Sequence, residues 1–270
     1  MGDMEMTKQI VAHGVDINAF GLNMHTAIAT AVSSHNMKII QFLVQSGANV
    51  NLGGNRGPTP LQLTIESGYS GIVKFLILSG HTDMDVMDRT SQKQNPLYSA
   101  LSMGDIETTK FLVENGADVM ARDSYKIPLH QAIRMNNVEL VQLLVENDAD
   151  VNRASGNGEN PLSIAVGTNN CNSKIIQILI ENGATITTGS KPCRPKSDLI
   201  LAIERFNVDL VKLLILHGAD VNEELNFNSK NSDRYRKLSP LCAAVQNRFS
   251  GDWKDVDLVK VLIAKGADVN

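Results

Sequence analysis

The chain has 270 residues, 43% of them hydrophobic and 20% charged, with a net charge of −4. This composition excludes a disordered chain, and the charge gives no whole-molecule attraction to nucleic acid or lipid. Aromatic residues make up only 4% of the chain, so its core has to come from Leu, Ile, Val and Ala.

The first letters, "MGDMEMTKQI", have no basic segment leading into an apolar run and do not read as a secretory signal. Met6 stands where a myristoylation signal needs Ser or Thr. No apolar run approaches the roughly 18 residues that span a bilayer. Cys171, Cys193 and Cys242 are an odd, widely spaced set; they read as free thiols of a reducing compartment, cytoplasmic or nuclear.

In chain order, the first predicted element is a lone helix carrying Met4, Thr7, Ile10 and Val11, ending before Gly14. A stripe of the same kind recurs as Met37, Ile40, Leu43 and Val44 before Gly47. It returns as Val138, Val141, Leu144 and Val145, then as Val208, Val211, Leu214 and Ile215, and finally as Val256, Val259, Leu262 and Ile263. Such spacing lays one apolar stripe along a helix of about 3.6 residues per turn. The phrase that closes each helix begins at Gly14, Gly47, Gly80, Gly116, Asp148, Gly183, Gly218 and Gly266, giving a period near 33 residues with a last interval of 48. Glycine suits this place because a helix C-terminus commonly takes a left-handed residue, and Asp148 is a residue that tolerates it.

Each closing phrase is followed by a polar segment and then by a second kind of helix start. These read "TPLQLT" (59–64), "NPLYSA" (95–100), "IPLHQA" (127–132), "NPLSIA" (160–165) and "SPLCAA" (239–244). Thr, Asn or Ser caps the free N–H groups, and Pro in the first turn strands none. Leu61, Leu97, Leu129, Leu162 and Leu241 are expected in the core, with Ala100, Ala132, Ala165, Ala202 and Ala244 allowing close helix approach. The start "SDLILA" lacks the Pro and relies on Ser197 or Asp198 as its cap.

The T-P-L-H-x-A-like start and the 33-residue period resemble the ankyrin repeat, and the resemblance covers essentially the whole chain. It implies an all-α solenoid of stacked antiparallel helix pairs with projecting hairpin or loop fingers. We expect a single ankyrin domain over 1–270: a half-repeat at about 1–18, then seven repeats at about 19–51, 52–84, 85–120, 121–152, 153–187, 188–222 and 223–270. Each unit is too small to bury its own apolar faces and borrows its neighbour's. Because the chain starts at a second helix and stops at Asn270, it reads as a piece of a longer array or a larger protein.

Departures from the period locate candidate functional features. "GSKPCRPKS" carries Lys191, Arg194 and Lys196, and "SKNSDRYRKLS" carries Lys230, Arg234, Tyr235, Arg236 and Lys237. On adjacent fingers these form a positive patch suited to an acidic or phosphorylated partner, against the plainer reading of loops kept soluble by their charges. Base stacking would rest on Tyr235 alone, so nucleic acid is not the expected ligand. An insertion of about six residues holds Trp253, which either packs locally or anchors a partner.

No HExxH, zinc-spaced Cys–His set, GxSxG or P-loop occurs, so no enzyme activity, metal or cofactor is expected. "LGGNRGP" (52–58) lacks the Lys-Ser/Thr of a phosphate cradle. The resemblance gives His130 a structural role through neighbouring backbone. It also likens Asn51, Asn152 and Asn222 to acceptors of asparaginyl hydroxylation, although a turn-shaping role is the preferred reading. The resemblance further implies a non-enzymatic scaffold that binds a protein or peptide on its concave finger-and-first-helix face. Its contact candidates are Asn55, Arg56, Glu66, Ser67, Ser102, Met103, Ser124, Tyr125, Arg134, Met135, Glu204 and Arg205. The chain itself is expected to be monomeric or part of a longer protein. The alternative is a regulatory or ligand-sensing segment of a larger enzyme or channel.

Overall fold

The structure, a computed structural model, describes residues 4–21, 24–54, 57–85, 95–120, 126–168, 171–187, 197–228, 235–246 and 255–269. It divides into two compact units, 1–122 and 123–270.

In the first unit a lone helix α1 (Met4–Ala12) is followed by three pairs: α2 (Ala27–Ser33) with α3 (Met37–Gln45), α4 (Pro60–Glu66) with α5 (Ser70–Leu78), and α6 (Pro96–Met103) with α7 (Ile106–Glu114). The first helix of each pair packs against its own partner, and α2, α4 and α6 pack side by side in sequence. In the second unit the pairs are α8 (Pro128–Arg134) with α9 (Val138–Glu146), α10 (Pro161–Gly167) with α11 (Ser173–Glu181), α12 (Asp198–Glu204) with α13 (Val208–Leu216), and α14 (Pro240–Gln246) with α15 (Asp255–Ala264). Here α8, α10, α12 and α14 form the row of first helices. Before α14, β1 (Leu225–Asn228) and β2 (Tyr235–Leu238) pair antiparallel, Leu225 opposite Leu238. Among the described residues this hairpin is the only sheet.

Local chemistry sets the helix starts. Thr59 makes a reciprocal capping box with Gln62, and Asn95 and Asn160 accept from the backbone N–H groups of Tyr98 and Ser163. Ile127, without an oxygen to offer, makes no side-chain cap. Helix ends follow the same logic: Asp148 occupies its glycine place at φ 66°. The core then assembles from the predicted letters. Leu61, Leu97, Leu129 and Leu162 are buried, as are Ala100, Ala132, Ala165, Ala202 and Ala244.

Three expectations about burial fail. Leu241 is only half-buried. In α15, Val256 and Ile263 are 44% and 48% exposed, although Leu262 between them is fully buried. The lone helix α1 buries none of its residues. Among the described residues no first helix is paired with it. The space beside it remains as an apolar cavity of about 460 Å³ lined by Ile10, Val11, Phe20, Ala27, Ala31 and Leu43.

Neighbouring pairs are also stitched by side-chain amides. Asn51 Nδ2–H donates to the His81 carbonyl at 2.9 Å, and its Oδ1 accepts the Asp83 N–H at 2.7 Å. Asn152 repeats this with the Gly183 carbonyl and the Thr185 N–H, at 2.9 and 2.7 Å. Asn222 does so with Gly266 and Asp268, at 3.0 and 2.7 Å. Each amide uses its donor and its acceptor together, which fixes the register between two closing phrases. Asn152→Ala is expected to lower stability by about 1–2 kcal/mol, the worth of bonds partly replaced by water. The urea midpoint checks it; an unchanged midpoint would mean the stitching is incidental.

Candidate partner-binding surface

The first helices all point their C-terminal ends toward the inter-helix turns, and the sequence candidates sit at those ends. In the first unit, Glu66 is the last residue of α4 and Ser67 its C-cap, while Ser102 and Met103 end α6. All four are exposed, Met103 at 52%. Since α4 and α6 pack together, the two pairs lie on neighbouring helix ends.

In the second unit, Arg134 ends α8 with Met135 as its C-cap, and Glu204 ends α12 with Arg205 as its C-cap. Arg134 is exposed and reaches Glu159, before α10, at 3.8 Å. An exposed pair of this kind adds little stability, but it orients the guanidinium along the row of first helices. Arg205 donates from its guanidinium to the Gly167 carbonyl at the end of α10. It also lines a cavity of about 400 Å³ with Thr168, Cys171, Asn207 and Leu210. Burial pushes the Cys171 thiol up to about 11, so at neutral pH it is a protonated group rather than a nucleophile.

Asn55, Arg56, Ser124, Tyr125, Lys191, Arg194, Lys196, Arg234 and Trp253 lie outside the described residues. Tyr235, Arg236 and Lys237 belong to β2, where Arg236 pairs with Phe227 and Lys237 with Asn226 across the hairpin.

Other residues singled out in the sequence have structural explanations. His130 is buried, and its Nε2 lies 3.0 Å from the Arg153 carbonyl. Burial is the main reason that its pKa falls to about 4, with the Arg134 and Arg153 charges adding to the effect. A buried neutral ring tied to backbone is a pin between finger and helix. In "LGGNRGP", a Cβ on Gly53 would lie 2.1 Å from the Pro58 carbonyl oxygen. That glycine allows the segment before the finger tip to press on the segment after it.

Sequence reasoning missed a buried polar cluster. Asp198 is fully buried at the first position of α12; its Oδ1 accepts from Ser163 Oγ–H at 3.0 Å. Its Oδ2 accepts from the Thr187 N–H at 2.8 Å and from Thr187 Oγ1–H at 3.0 Å. Ser197 caps α12 through the Ile200 N–H at 3.1 Å and donates its hydroxyl to Glu223. Burial raises the Glu223 pKa, with nearby Asp220 and Asp198 pushing the same way against the Ser197 bond. The visible signal was the Pro missing from "SDLILA": the place needs a carboxylate that bridges two repeats.

A family model of ankyrin repeats, three copies, matches residues 1–88, 54–123 and 122–190. The chain belongs to the ankyrin-repeat family. Ankyrin repeats are protein–protein interaction modules that bind protein partners. The fold of this ankyrin chain is similar to the crystal structure of the ankyrin repeat domain of Bcl-3, described as a unique member of the IκB family. Identity is 23% and the TM-score 0.64, over 78% of this chain and 91% of that one. No curated protein matches the sequence. Among the described residues of the ankyrin chain, no three His, Cys, Asp or Glu side chains gather as a metal site. No helix among them is long and apolar enough to cross a membrane.

Proposed function

We propose that this ankyrin chain is a non-enzymatic scaffold holding a protein or peptide on the face formed by its fingers and first-helix ends. The supporting observation is the contrast along the first helices. The buried positions repeat the same Leu and Ala, whereas the helix ends change from Glu66-Ser67 to Ser102-Met103, Arg134-Met135 and Glu204-Arg205, all exposed except the half-buried Met135 and Glu204. Packing accounts for the constant letters and does not dictate the variable ones. The basic residues Lys191, Arg194, Lys196, Arg234, Arg236 and Lys237, read from the sequence, favour an acidic or phosphorylated partner.

The test is affinity capture with the full chain and two sets of serine substitutions. One set changes Arg134, Met135, Glu204 and Arg205; the other changes Lys191, Arg194, Arg234, Arg236 and Lys237. A partner captured by the parent chain is expected to be retained at least about tenfold less by the first set, a loss of 1.4 kcal/mol that one modest contact supplies. The second set is expected to weaken it in a salt-dependent way. A partner list unchanged by both sets would refute the proposed face.

A further inference from the structure

We propose that Asn157 is a site of spontaneous deamidation, placing a new carboxylate on the finger that precedes α10. The sequence holds three Asn-Gly pairs: Asn115-Gly116, Asn157-Gly158 and Asn182-Gly183. In such a pair glycine offers no side chain to hinder its own nitrogen, so the main chain can close on the asparagine amide. All three asparagines are exposed, so exposure does not separate them. Their hydrogen bonds do.

Asn115 caps the end of α7, and its Nδ2–H is held by the Phe111 carbonyl at 2.7 Å. Asn182 does the same for α11 through the Ile178 carbonyl at 2.8 Å. In both, the side chain that must react is fastened to the last helical turn. Asn157 stands on a finger turn, and no hydrogen bond holds its side-chain amide among the described residues. Its turn is closed by the Gly158 N–H donating to the Ser155 carbonyl at 2.8 Å, and by the Ser155 N–H donating to the Glu159 carbonyl at 2.8 Å. The first bond must open before reaction, and exposed turns open at small cost. Gly116 and Gly183 must likewise leave the Val113 and Ile180 carbonyls, so the fastened side chain is the added barrier.

The chemistry needs only water. The Gly158 nitrogen loses its proton and attacks Asn157 Cγ. The new C–N bond closes a five-membered imide as the Cγ–Nδ2 bond breaks, and nitrogen leaves as ammonia. Water then opens the imide at either carbonyl, giving aspartate or isoaspartate, either one ionised at neutral pH. The net change is amide plus water to carboxylate plus ammonium, with no oxidant or reductant. One further negative charge is thereby added to a chain at −4. It lies two residues from Glu159, the carboxylate that pairs with Arg134 at 3.8 Å. The isoaspartate form also lengthens the main chain by one methylene inside the Ser155–Glu159 turn. The outcome is a slow, one-way change of charge and shape on this finger, independent of which partner the face binds.

The test incubates the full chain, folded, at mildly alkaline pH and follows peptides by mass, with fragment ions locating the added mass and distinguishing isoaspartate. Conversion at Asn157 is expected to be about tenfold faster than at Asn115 or Asn182, the ratio that a barrier higher by 1.4 kcal/mol produces. In concentrated urea, which releases the caps, the three sites are expected to converge to within a factor of two or three. Equal rates in the folded chain would overturn the assignment, as would an intact Asn157 when the urea sample converts. Asn157→Gln should abolish the signal at this finger and leave the other two sites as they were; a persisting signal would also overturn it.

Discussion

Asp198→Ala is expected to destabilise the second unit by about 3 kcal/mol. The side chain is fully buried and accepts from Ser163 Oγ–H, the Thr187 N–H and Thr187 Oγ1–H. The Ser163 and Thr187 hydroxyls lie 3.1 Å apart and can pair with each other, so alanine would strand the Thr187 N–H and one hydroxyl, each at a cost of about 1–2 kcal/mol. Asp198→Asn should lose less, because one oxygen remains although a donor now faces one of the three. The informative variant is Asp198→Pro. It restores the family's own letter at this place, yet it removes both the carboxylate and the Asp198 N–H that donates to the Thr187 carbonyl at 3.1 Å, so it too should destabilise. Chemical denaturation measures all three. A stable proline variant would show that the cluster contributes nothing.

Acidification from pH 7 to pH 4 is expected to remove about 3 kcal/mol of stability through His130 alone. The ring has a pKa of about 4 in the folded chain against an ordinary 6.5. Between those values the unfolded chain binds a proton that the folded chain refuses, so stability falls as pH drops through 6.5 toward 4. Glu223 works the other way: burial raises its pKa, so the folded chain binds a proton more readily and gains stability as pH falls. The His130 contribution is therefore read as the difference between the parent chain and His130→Gln, which keeps a donor for the Arg153 carbonyl without titrating. The parent should lose about 3 kcal/mol more than the variant over this range. Parallel stability profiles would show that the ring is not held neutral.

Much of the helical architecture was legible because it is written locally. The caps at Thr59, Asn95, Asn160 and Ser197, the left-handed Asp148, and the buried Leu and Ala of the first helices each depend on a few adjacent letters. What was not legible depends on residues far apart in sequence. The turn-forming reading of Asn51, Asn152 and Asn222 missed their bonds to the next closing phrase, 30 or more residues away. The Asp198 cluster joins three segments whose association no periodicity shows. The exposure of Val256 and Ile263 was hidden for a related reason: a stripe identifies the face that would be covered and says nothing of whether a neighbour covers it. The proposed contact residues are harder still, since letters that packing does not fix carry no internal sign of a task.

The stitching amides measure position in space and ignore how much polypeptide separates their ends. Asn152 reaches a residue 33 places ahead and Asn222 one 46 places ahead, with nearly identical lengths of 2.7 Å. Extra sequence can thus be accumulated between two closing phrases while the alignment of the helices beneath stays the same. A lineage building on this chain is free to diversify its intervals, trying new surface without renegotiating its core.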